Sequence, residues 1–460
     1  MLFNSLVFVI FFLVLYTTYW QLNHKYQKLA LLIGSLIFYG FWSIYFLIHF
    51  SLIVFVNFLF YKYSDYKYNK TKITLVVILN LLNLAFFKYF YFLLNTLNDL
   101  LNIKQISEIN TQIPEIVLPL AISFYTFQIL AFQIDVYKEK IKSIISLEDF
   151  AIFIMFFPQL IAGPIMRHSD FFKQLHKKKK FLELPYNAAG YLIILGVLKK
   201  VIIADNISPI IEPFFSQPQN YDTFSALISI YGFAIQIYCD FSGYCDIARG
   251  VALLLGYDIP VNFNAPYFST SLREFWQRWH ITLSEWLRDY LYIALGGNRA
   301  GKTRTYVNLL TTMILGGLWH GANYTFLIWG AIHGAYLIAE RSLTKLKFEK
   351  ENVMIRIIKA ILVFHLVCFA WLFFRIEHLQ DIQDIYTNLM LQSGIRLLDI
   401  PKLYRLLAIG FLLHTYEYFQ SQIRIKFVYR RLLLPGLAIL CGILVLTLAS
   451  NSMQFIYFQF

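Results

Sequence analysis

Apolar stretches of membrane-spanning length recur along this chain, separated by short polar connections. A helix needs about 20 mostly apolar residues to cross the hydrocarbon core of a bilayer. The pattern predicts spans over residues 2–20, 29–45, 46–62, 73–94, 116–136, 187–204, 224–256, 306–319, 323–340, 354–376, 403–419 and 433–450. The first stretch lacks a basic start and a small-residue cleavage site, so we interpret it as a retained span and not a signal peptide.

The connections between these spans differ in charge, and the difference orients the helices. Lysine and arginine favour the cytoplasmic side of a membrane. The basic connections are residues 24–28, 62–72, 138–142, 167–180, 273–304, 341–359 and 424–431, and the basic-poor ones are 95–115, 205–222 and 377–402. If the basic group is cytoplasmic, the spans alternate and both termini are predicted to be periplasmic.

One apolar segment, residues 150–166, breaks this alternation because basic loops flank it on both sides. It contains the run from Phe157 to Pro164, in which two prolines and a glycine interrupt helix. Broken backbone at membrane depth must be covered by protein or line a cavity. We therefore predict a re-entrant loop that enters from the cytoplasmic side, and the alternative is an ordinary kinked span.

Residues 269–291 show a different pattern, with tryptophans on one helical face and arginines on the other. Such a segment is typical of a helix that lies in the membrane interface. Ser271 and Glu274 form a capping box at its start. His280 falls at the border of the two faces, where an interfacial hydrogen bond and a catalytic role are equally supported.

Composition agrees with an integral membrane protein of the all-α class. The chain is 58% hydrophobic and 15% charged, against roughly half and a quarter in soluble domains. Its net charge of +13 suits loops beside anionic lipid, and no soluble domain is left to bind nucleic acid. Without repeats or linkers, residues 1–460 are predicted to form one integral domain. Cys239 and Cys245 are interpreted as packing residues, so no metal site is predicted.

The main candidate for chemistry is His320, in the run from Gly316 to Asn323. An imidazole exchanges protons near neutral pH and is costly to place in a membrane. His320 lies at the junction of two apolar segments of half length, where it could act as a base or stabilise a developing charge. A donor and an acceptor would have to reach it from opposite faces. The alternative is a structural histidine, which is favoured for the neighbouring His333.

Small residues surround both histidines. Gly317 and Gly321 flank His320, and Gly330 and Gly334 flank His333. This spacing lets helices approach closely. We also expect it to leave room beside the imidazole for a narrow substrate chain.

Further polar residues interrupt the apolar pattern. Asp240 and Asp246 fall inside the segment 224–256, which predicts an unwound cavity lining. These carboxylates are interpreted mainly as partners of the nearby arginines, and a catalytic role is the alternative. The basic connection around Arg288, with Gly296 and Gly297, could receive phosphates but has no Walker spacing.

Taken together, the polar motifs resemble those of the membrane-bound O-acyltransferase superfamily. The resemblance is closest to the branch of the alginate O-acetyltransferase membrane subunit and the bacterial peptidoglycan O-acetyltransferases, and it covers roughly residues 80–380. The motifs are the runs Leu118–Gln128, Phe157–Pro164, Gln236–Tyr244, Asn262–Tyr267, Glu274–Ser284, Trp286–Tyr290, Leu295–Arg299 and Leu318–Asn323. Cys239, Cys245 and Arg249 depart from the pattern, which leaves selectivity open but not the class.

This resemblance implies a ring of tilted helices around a central funnel or tunnel. It implies that His320 is the catalytic histidine and that His280 is its companion. Arg273, Arg278 and Arg288 are assigned either to the phosphates of the donor or to anchoring of the helix.

The branch also implies substrates and a partner. The donor would be cytoplasmic acetyl-CoA, and the acceptor a cell-wall or extracellular polysaccharide, with peptidoglycan favoured and an alginate-type polymer next. A periplasmic transferase of the serine-hydrolase type would complete the transfer outside the bacterial cytoplasmic membrane.

Two alternatives stay open at this point. The same chemistry could carry D-alanyl or another acyl group to a different polymer. A transporter or flippase would also need broken helices and intramembrane carboxylates, but would make no bonds.

Overall fold

Helices make up the regular structure of this protein, as its sequence pattern predicts. The computed structural model describes residues 1, 3–101, 116–141, 143–343, 352–391, 394–397 and 399–423. In these ranges the helices are α1 Leu6–Gln21, α2 His24–Gly40, α3 Ile44–Tyr63, α4 Lys70–Leu101, α5 Ile122–Tyr137, α6 Leu147–Met155, α7 Phe157–Leu160, α8 His168–Leu175, α9 Tyr186–Ser216, α10 Thr223–Leu254, α11 Leu272–Arg278, α12 Ile281–Trp286, α13 Gly301–His320, α14 Tyr324–Leu343, α15 Val353–Arg375, α16 Leu379–Leu391 and α17 Ile400–Ile423. The predicted all-α class is confirmed, and the ring with a central tunnel stays a prediction.

Within the described residues, five helices are long and apolar enough to cross a membrane: most of α3, and α4, α9, α10 and α15. They confirm a multi-pass membrane protein. Helices α4 and α9 extend beyond the predicted spans, and each contains a π-helical turn, at Ala85–Tyr89 and Leu198–Ala204. Helix α16 lies in a stretch predicted as a connection. The predicted span 433–450 and the basic connection 424–431 lie outside the described residues.

The chain folds into two compact units. Of the described residues, the first unit comprises those of Met1–Pro185 with Val251–Ile259, and the second comprises those of Tyr186–Gly250 with those from Pro260 to Ile423. The prediction of a single domain over the whole chain stays a prediction.

In the first unit, the segment predicted as re-entrant is broken and covered. Helix α6 ends at Met155 after 9 residues, and the 4-residue α7 follows with Pro158 in its first turn. Residues 152–166 are all buried. The broken backbone therefore lies inside protein, as its sequence requires, and the continuous kinked span is wrong. The side from which the segment enters stays a prediction.

In the second unit, α13 and α14 form an antiparallel hairpin whose glycines let the backbones touch. A Cβ atom on Gly317 would lie 2.2 Å from the carbonyl oxygen of Phe326, and one on Gly330 would lie 2.3 Å from that of Met313. The predicted close approach is confirmed. Each helix has 20 residues, or about 30 Å of length, so the predicted half-length segments are wrong. The helices are longer because the polar residues at the ends of both predicted segments are also helical.

Helix α10 is continuous over 32 residues, so the predicted unwinding around Asp240 is wrong. Lysines of α9 meet the carboxylates of α10, so their charges are paired without any break in the backbone. The helices approach closely at Gly243, where a Cβ atom would lie 2.8 Å from the carbonyl oxygen of Gly196. The predicted cavity lining is confirmed, because Ser242, Cys245 and Asp246 line a cavity.

The segment predicted as one interfacial helix is two short helices, α11 and α12, followed by a π-helical turn at Leu287–Tyr292. The apolar face is covered by protein, since Trp279 is only 1% exposed. The predicted capping residue is confirmed, because the Ser271 hydroxyl accepts from the Glu274 N–H at 3.0 Å. The Glu274 carboxylate accepts from the N–H of Thr270 at 2.8 Å and not from that of Ser271, so the reciprocal half of the predicted capping box is displaced by one residue.

Candidate active site

The extended segment that contains Asn262 and Asn264 forms backbone hydrogen bonds with the residues at the break between α11 and α12. The Asn264 N–H donates to the carbonyl oxygen of Arg278 at 2.9 Å, and the Ile281 N–H donates to that of Asn262 at 3.0 Å. These bonds take backbone groups that a continuous helix would use for itself. His280 lies at the break with φ +43°, a left-handed conformation that is costly for a residue other than glycine.

The side chain of Asn262 holds His280. Its Oδ1 accepts from the backbone N–H of Thr282 at 3.1 Å and from the Thr282 hydroxyl at 3.0 Å. The same oxygen lies 3.3 Å from Nδ1 of His280. Because a backbone N–H can only donate, this atom of Asn262 is the oxygen, and Nδ1 of His280 carries the ring proton. Nε2 then carries the lone pair of the neutral ring.

Burial keeps His280 in its neutral form. The ring is fully buried, and loss of solvation lowers its pKa to about 3. The residue is therefore uncharged at physiological pH, which is the form that can accept a proton.

His320 is the last residue of α13 and is 5% exposed. Its ring centroid lies 4.9 Å from that of Trp319, 5.2 Å from that of Trp329 and 5.2 Å from that of Phe374. A Cβ atom on the following Gly321 would lie 2.0 Å from the ring of Phe326. Phenylalanine therefore fills the space that the glycine spacing was expected to leave for substrate, and that expectation is wrong.

The structure brings both predicted site histidines to the same tryptophan. The ring of Trp319 has its centroid 6.1 Å from that of His280 and 4.9 Å from that of His320. His333 belongs to the same aromatic cluster, is fully buried and lies 4.9 Å from Trp329, in agreement with a packing role. The catalytic roles of His280 and His320 stay predictions.

The turn after His320 is fixed by Asn323. Its amide Nδ2 donates to the carbonyl oxygen of Glu377 at 2.8 Å, and its Oδ1 accepts from the N–H of Thr325 at 3.1 Å. The first bond joins the tip of the hairpin to the end of α15, and the second caps the start of α14. This accounts for the asparagine in the Trp-His-Gly-Ala-Asn run.

The three predicted phosphate-binding arginines have different surroundings. The Arg278 guanidinium lies 2.8 Å from the carboxylate of Glu274, and Arg288 lies 2.7 Å from that of Asp289. The pKa of the Glu274 carboxyl is lowered, because bonds from Thr270 and Arg278 outweigh the effect of its burial. Arg273 is exposed. Donor binding by these residues stays a prediction.

A cavity of about 490 Å³ lies beside this site, within the second unit. Asn262 and Ile281 contribute to its wall, whereas neither His280 nor His320 is among the described residues that line it. Asn262 thus faces the cavity and also holds His280. Access of substrates to both imidazoles stays a prediction.

Two buried lysines of α9 were not predicted as site residues from the sequence. Lys199 lies 2.7 Å from Asp246 and also contacts Glu417. Lys200 lies 2.7 Å from Asp205 and 2.6 Å from Asp240. The carboxylates of α10 therefore pair with lysines, and the predicted pairing with arginines is wrong. The signal was a lysine pair inside an apolar run, since ionisable residues in membrane segments mark functional sites.

The comparison with known proteins decides the family. The MBOAT, or membrane-bound O-acyltransferase, family matches residues 137–379. The chain belongs to this family. It is therefore an O-acyltransferase, as the motifs indicate, and the transporter or flippase alternative is set aside.

Curated relatives agree with this assignment. The chain is 39% identical over 398 residues to the probable alginate O-acetylase AlgI of Pseudomonas aeruginosa, which covers 84% of this chain and 74% of the relative. It is 35% identical over 435 residues to the peptidoglycan O-acetyltransferase of Helicobacter pylori, covering 87% and 82%. It is 30% identical over 269 residues to the teichoic acid D-alanyltransferase of Bacillus subtilis, covering 55% and 68%.

Proposed function

We propose that this protein transfers acetyl groups from cytoplasmic acetyl-CoA across the bacterial cytoplasmic membrane toward a cell-wall or extracellular polysaccharide. Peptidoglycan is the favoured polymer, and an alginate-type polysaccharide is the next. A periplasmic transferase of the serine-hydrolase type takes part in the final transfer, and both termini lie on the periplasmic side.

One observation carries the proposal. The rings of His280 and His320 both pack against Trp319 in a buried aromatic cluster, although the two histidines are 40 positions apart in the sequence. Family membership supplies the reaction class, and the names of the relatives supply the acetyl group and the polysaccharide. A water-poor site strengthens electrostatic interactions and limits loss of the acyl group to hydrolysis.

In the proposed reaction, His320 is the base. Its imidazole takes the proton of the acceptor hydroxyl as the oxygen attacks the thioester carbonyl. A C–O bond forms, the C–S bond breaks, and the proton passes on to the departing thiolate. His280 is the helper. The single proton of the hydroxyl goes to His320, so His280 takes no proton in this step and acts by positioning Trp319, which the rings of both histidines contact.

The test is replacement of His320 by alanine in the native host. Since general-base catalysis contributes about 100-fold or more, acetylation of the isolated glycan, measured by mass spectrometry, should fall by at least that factor. His365→Ala is the control, because His365 is an exposed histidine of α15. Normal expression of the His320→Ala protein with wild-type acetylation would remove the catalytic role.

The donor can be tested with purified protein in liposomes and labelled acetyl-CoA. Release of free CoA together with acetyl bonded to an acceptor is expected. If a different thioester is consumed and acetyl-CoA is not, the donor assignment is wrong.

The likeness to the teichoic acid D-alanyltransferase supports a second candidate, D-alanyl transfer. It is weaker because that match covers only 55% of the chain. Mass spectrometry of both the glycan and the teichoic acid fractions from a deletion strain separates the two: loss of acetyl from glycan supports the first, and loss of D-alanine supports the second.

A further inference from the structure

A surface rich in lysine lies at the end of α8, in the first unit. Residues 173–180 contain five lysines and no carboxylate. The first turns of α2 add His24, Lys25 and Lys28. We call these three residues, together with residues 173–182, the lysine surface. Its lysines belong to two connections that the charge pattern predicts to be cytoplasmic.

Asp149 of α6 brings the two parts of this surface together. Its carboxylate lies 2.7 Å from Nζ of Lys28, on α2, and 2.8 Å from Nε2 of His176, just after α8. Burial lowers the pKa of His24, and the positive charges of its neighbours lower it further. These neighbours are Lys28, Lys179, His176 and Lys178. Several basic side chains therefore gather around a single carboxylate.

The outer lysines of this surface are not neutralised by the protein. Lys177 and Lys178 are exposed, and no carboxylate pairs with either of them in the part of the chain that the structure describes. Lys180 does have a partner, Glu183, at 2.6 Å. Like charges held close together repel one another, and an anion between them removes that repulsion. The lysine surface is therefore suited to a negatively charged ligand.

Exposed apolar side chains continue directly from these lysines. Leu182 is 89% exposed and Phe181 is 45% exposed. The ring centroid of Phe181 lies 5.5 Å from that of Trp20, near the end of α1. Aromatic rings beside lysines are typical of the level of the lipid headgroups. An acidic soluble protein would match the lysines alone, whereas a phospholipid matches both the charge and the apolar side chains.

We propose that the lysine surface binds the headgroup of an anionic phospholipid, of which phosphatidylglycerol is the example used below. Lys177 and Lys178 contact the phosphate, and Leu182 lies against the upper part of an acyl chain. Clusters of about four to eight basic residues next to a transmembrane helix are typical of such lipid sites. Lipid binding at this surface does not depend on acyl transfer, so it goes beyond the proposed function.

Native mass spectrometry of the purified full chain, titrated with phosphatidylglycerol and with phosphatidylcholine, measures the affinity for each lipid. Phosphatidylglycerol should bind about tenfold more tightly, because the choline group brings a further cation to the lysines. The double variant Lys177→Ala with Lys178→Ala should weaken this binding by about tenfold or more, since each lysine near an anionic surface contributes about fivefold. Leu182→Ser should weaken it by about threefold, because an apolar contact is lost.

The matched control is the double variant Lys70→Ala with Lys72→Ala. It removes the same charge from another predicted cytoplasmic connection of the first unit and should keep the wild-type affinity for phosphatidylglycerol. Equal weakening by the two double variants would overturn the proposal, because the attraction would then be diffuse, as would equal affinity for the two lipids.

Two competitors test the source of the anion. Displacement of phosphatidylglycerol by an equal concentration of inorganic phosphate would show a site for free phosphate and overturn the proposal. Tighter binding of a hexaglutamate peptide, unchanged by Leu182→Ser, would indicate an acidic protein partner and overturn it too. Neither competitor is expected to displace the lipid, since neither provides the apolar contact with Leu182.

Discussion

Two adjacent lysines of α9 each pair with two carboxylates, but the two clusters differ in how far they are exposed. Lys199 and Lys200 each lie between two carboxylates, within the π-helical turn Leu198–Ala204. The carboxylates of the Lys199 cluster are 15% and 16% exposed, whereas those of the Lys200 cluster are 2% and 3% exposed. One cluster opens onto the cavity and the other is sealed.

The difference shows that charge composition does not decide what an intramembrane cluster does. A sealed pair adds little net stability compared with apolar residues, but removal of one partner leaves an uncompensated charge in a site without water. A cluster that reaches a cavity can be solvated or can bind a ligand. We therefore assign the Lys200 cluster to structure, whereas the Lys199 cluster is open to the cavity.

The largest effect is expected from Lys200→Met, which leaves two sealed carboxylates without their cation. Loss of one partner of a buried pair costs about 3–5 kcal/mol. Thermal unfolding of the purified protein can be followed by tryptophan fluorescence. The melting temperature should fall much more for Lys200→Met than for Lys199→Met, because the carboxylates that pair with Lys199 reach the cavity. If both variants lowered the melting temperature equally, the two clusters would not differ in their contribution to stability.

Gly243→Ala should disturb both clusters at once, to a smaller degree. The added methyl group would lie 2.8 Å from the carbonyl oxygen of Gly196 and 3.0 Å from the Cβ atom of Lys199. Overpacking of this kind costs about 1–3 kcal/mol. Gly190→Ala on α9 is the control, because no atom lies within 4 Å of its added methyl. The same unfolding assay should separate the two, and equal stability would mean that the helices can shift apart at no cost.

The smallest effect is expected from Tyr238→Phe. The Tyr238 hydroxyl donates to Glu417, so its removal affects the Lys199 cluster and leaves the Lys200 cluster intact. Loss of one hydrogen bond costs about 0.5–1.5 kcal/mol, so the melting temperature in the same unfolding assay should fall less than for Gly243→Ala. Tyr231→Phe, on the same helix, is the control for loss of a hydroxyl. If Tyr238→Phe lowered the melting temperature as much as Lys200→Met does, the Lys199 cluster would also be structural.

The parts of this fold that could be predicted depend on local patterns. Apolar runs gave the helical class, and glycine spacing gave the hairpin, because both follow from periodicity. The break at His280 could not be predicted, since it needs the backbone of Asn262 and Asn264 from another part of the chain. The lysine clusters were missed for a similar reason: pairing in space had to be known before Asp240 and Asp246 could be matched with partners.

The candidate site was predicted better than its surroundings. His280 and His320 were chosen from short motifs, and the structure brings them to one tryptophan. The room expected beside Gly321 was wrong, because a glycine on a helix can admit a substrate or a neighbouring ring, and sequence spacing does not distinguish these. Here Phe326 occupies the space.

The π-helical turn in α9 has a consequence for related proteins. Successive residues of a regular α-helix point about 100° apart, and the π-helical turn closes over one more residue, so it shifts the register of all side chains that follow it. A relative that has lost one residue here would regain a regular helix, in which the side chains after the turn are rotated by about 100° relative to those before it. The sequence length between Leu198 and Ala204 therefore decides whether residues on both sides of this turn can face the same neighbours as they do here.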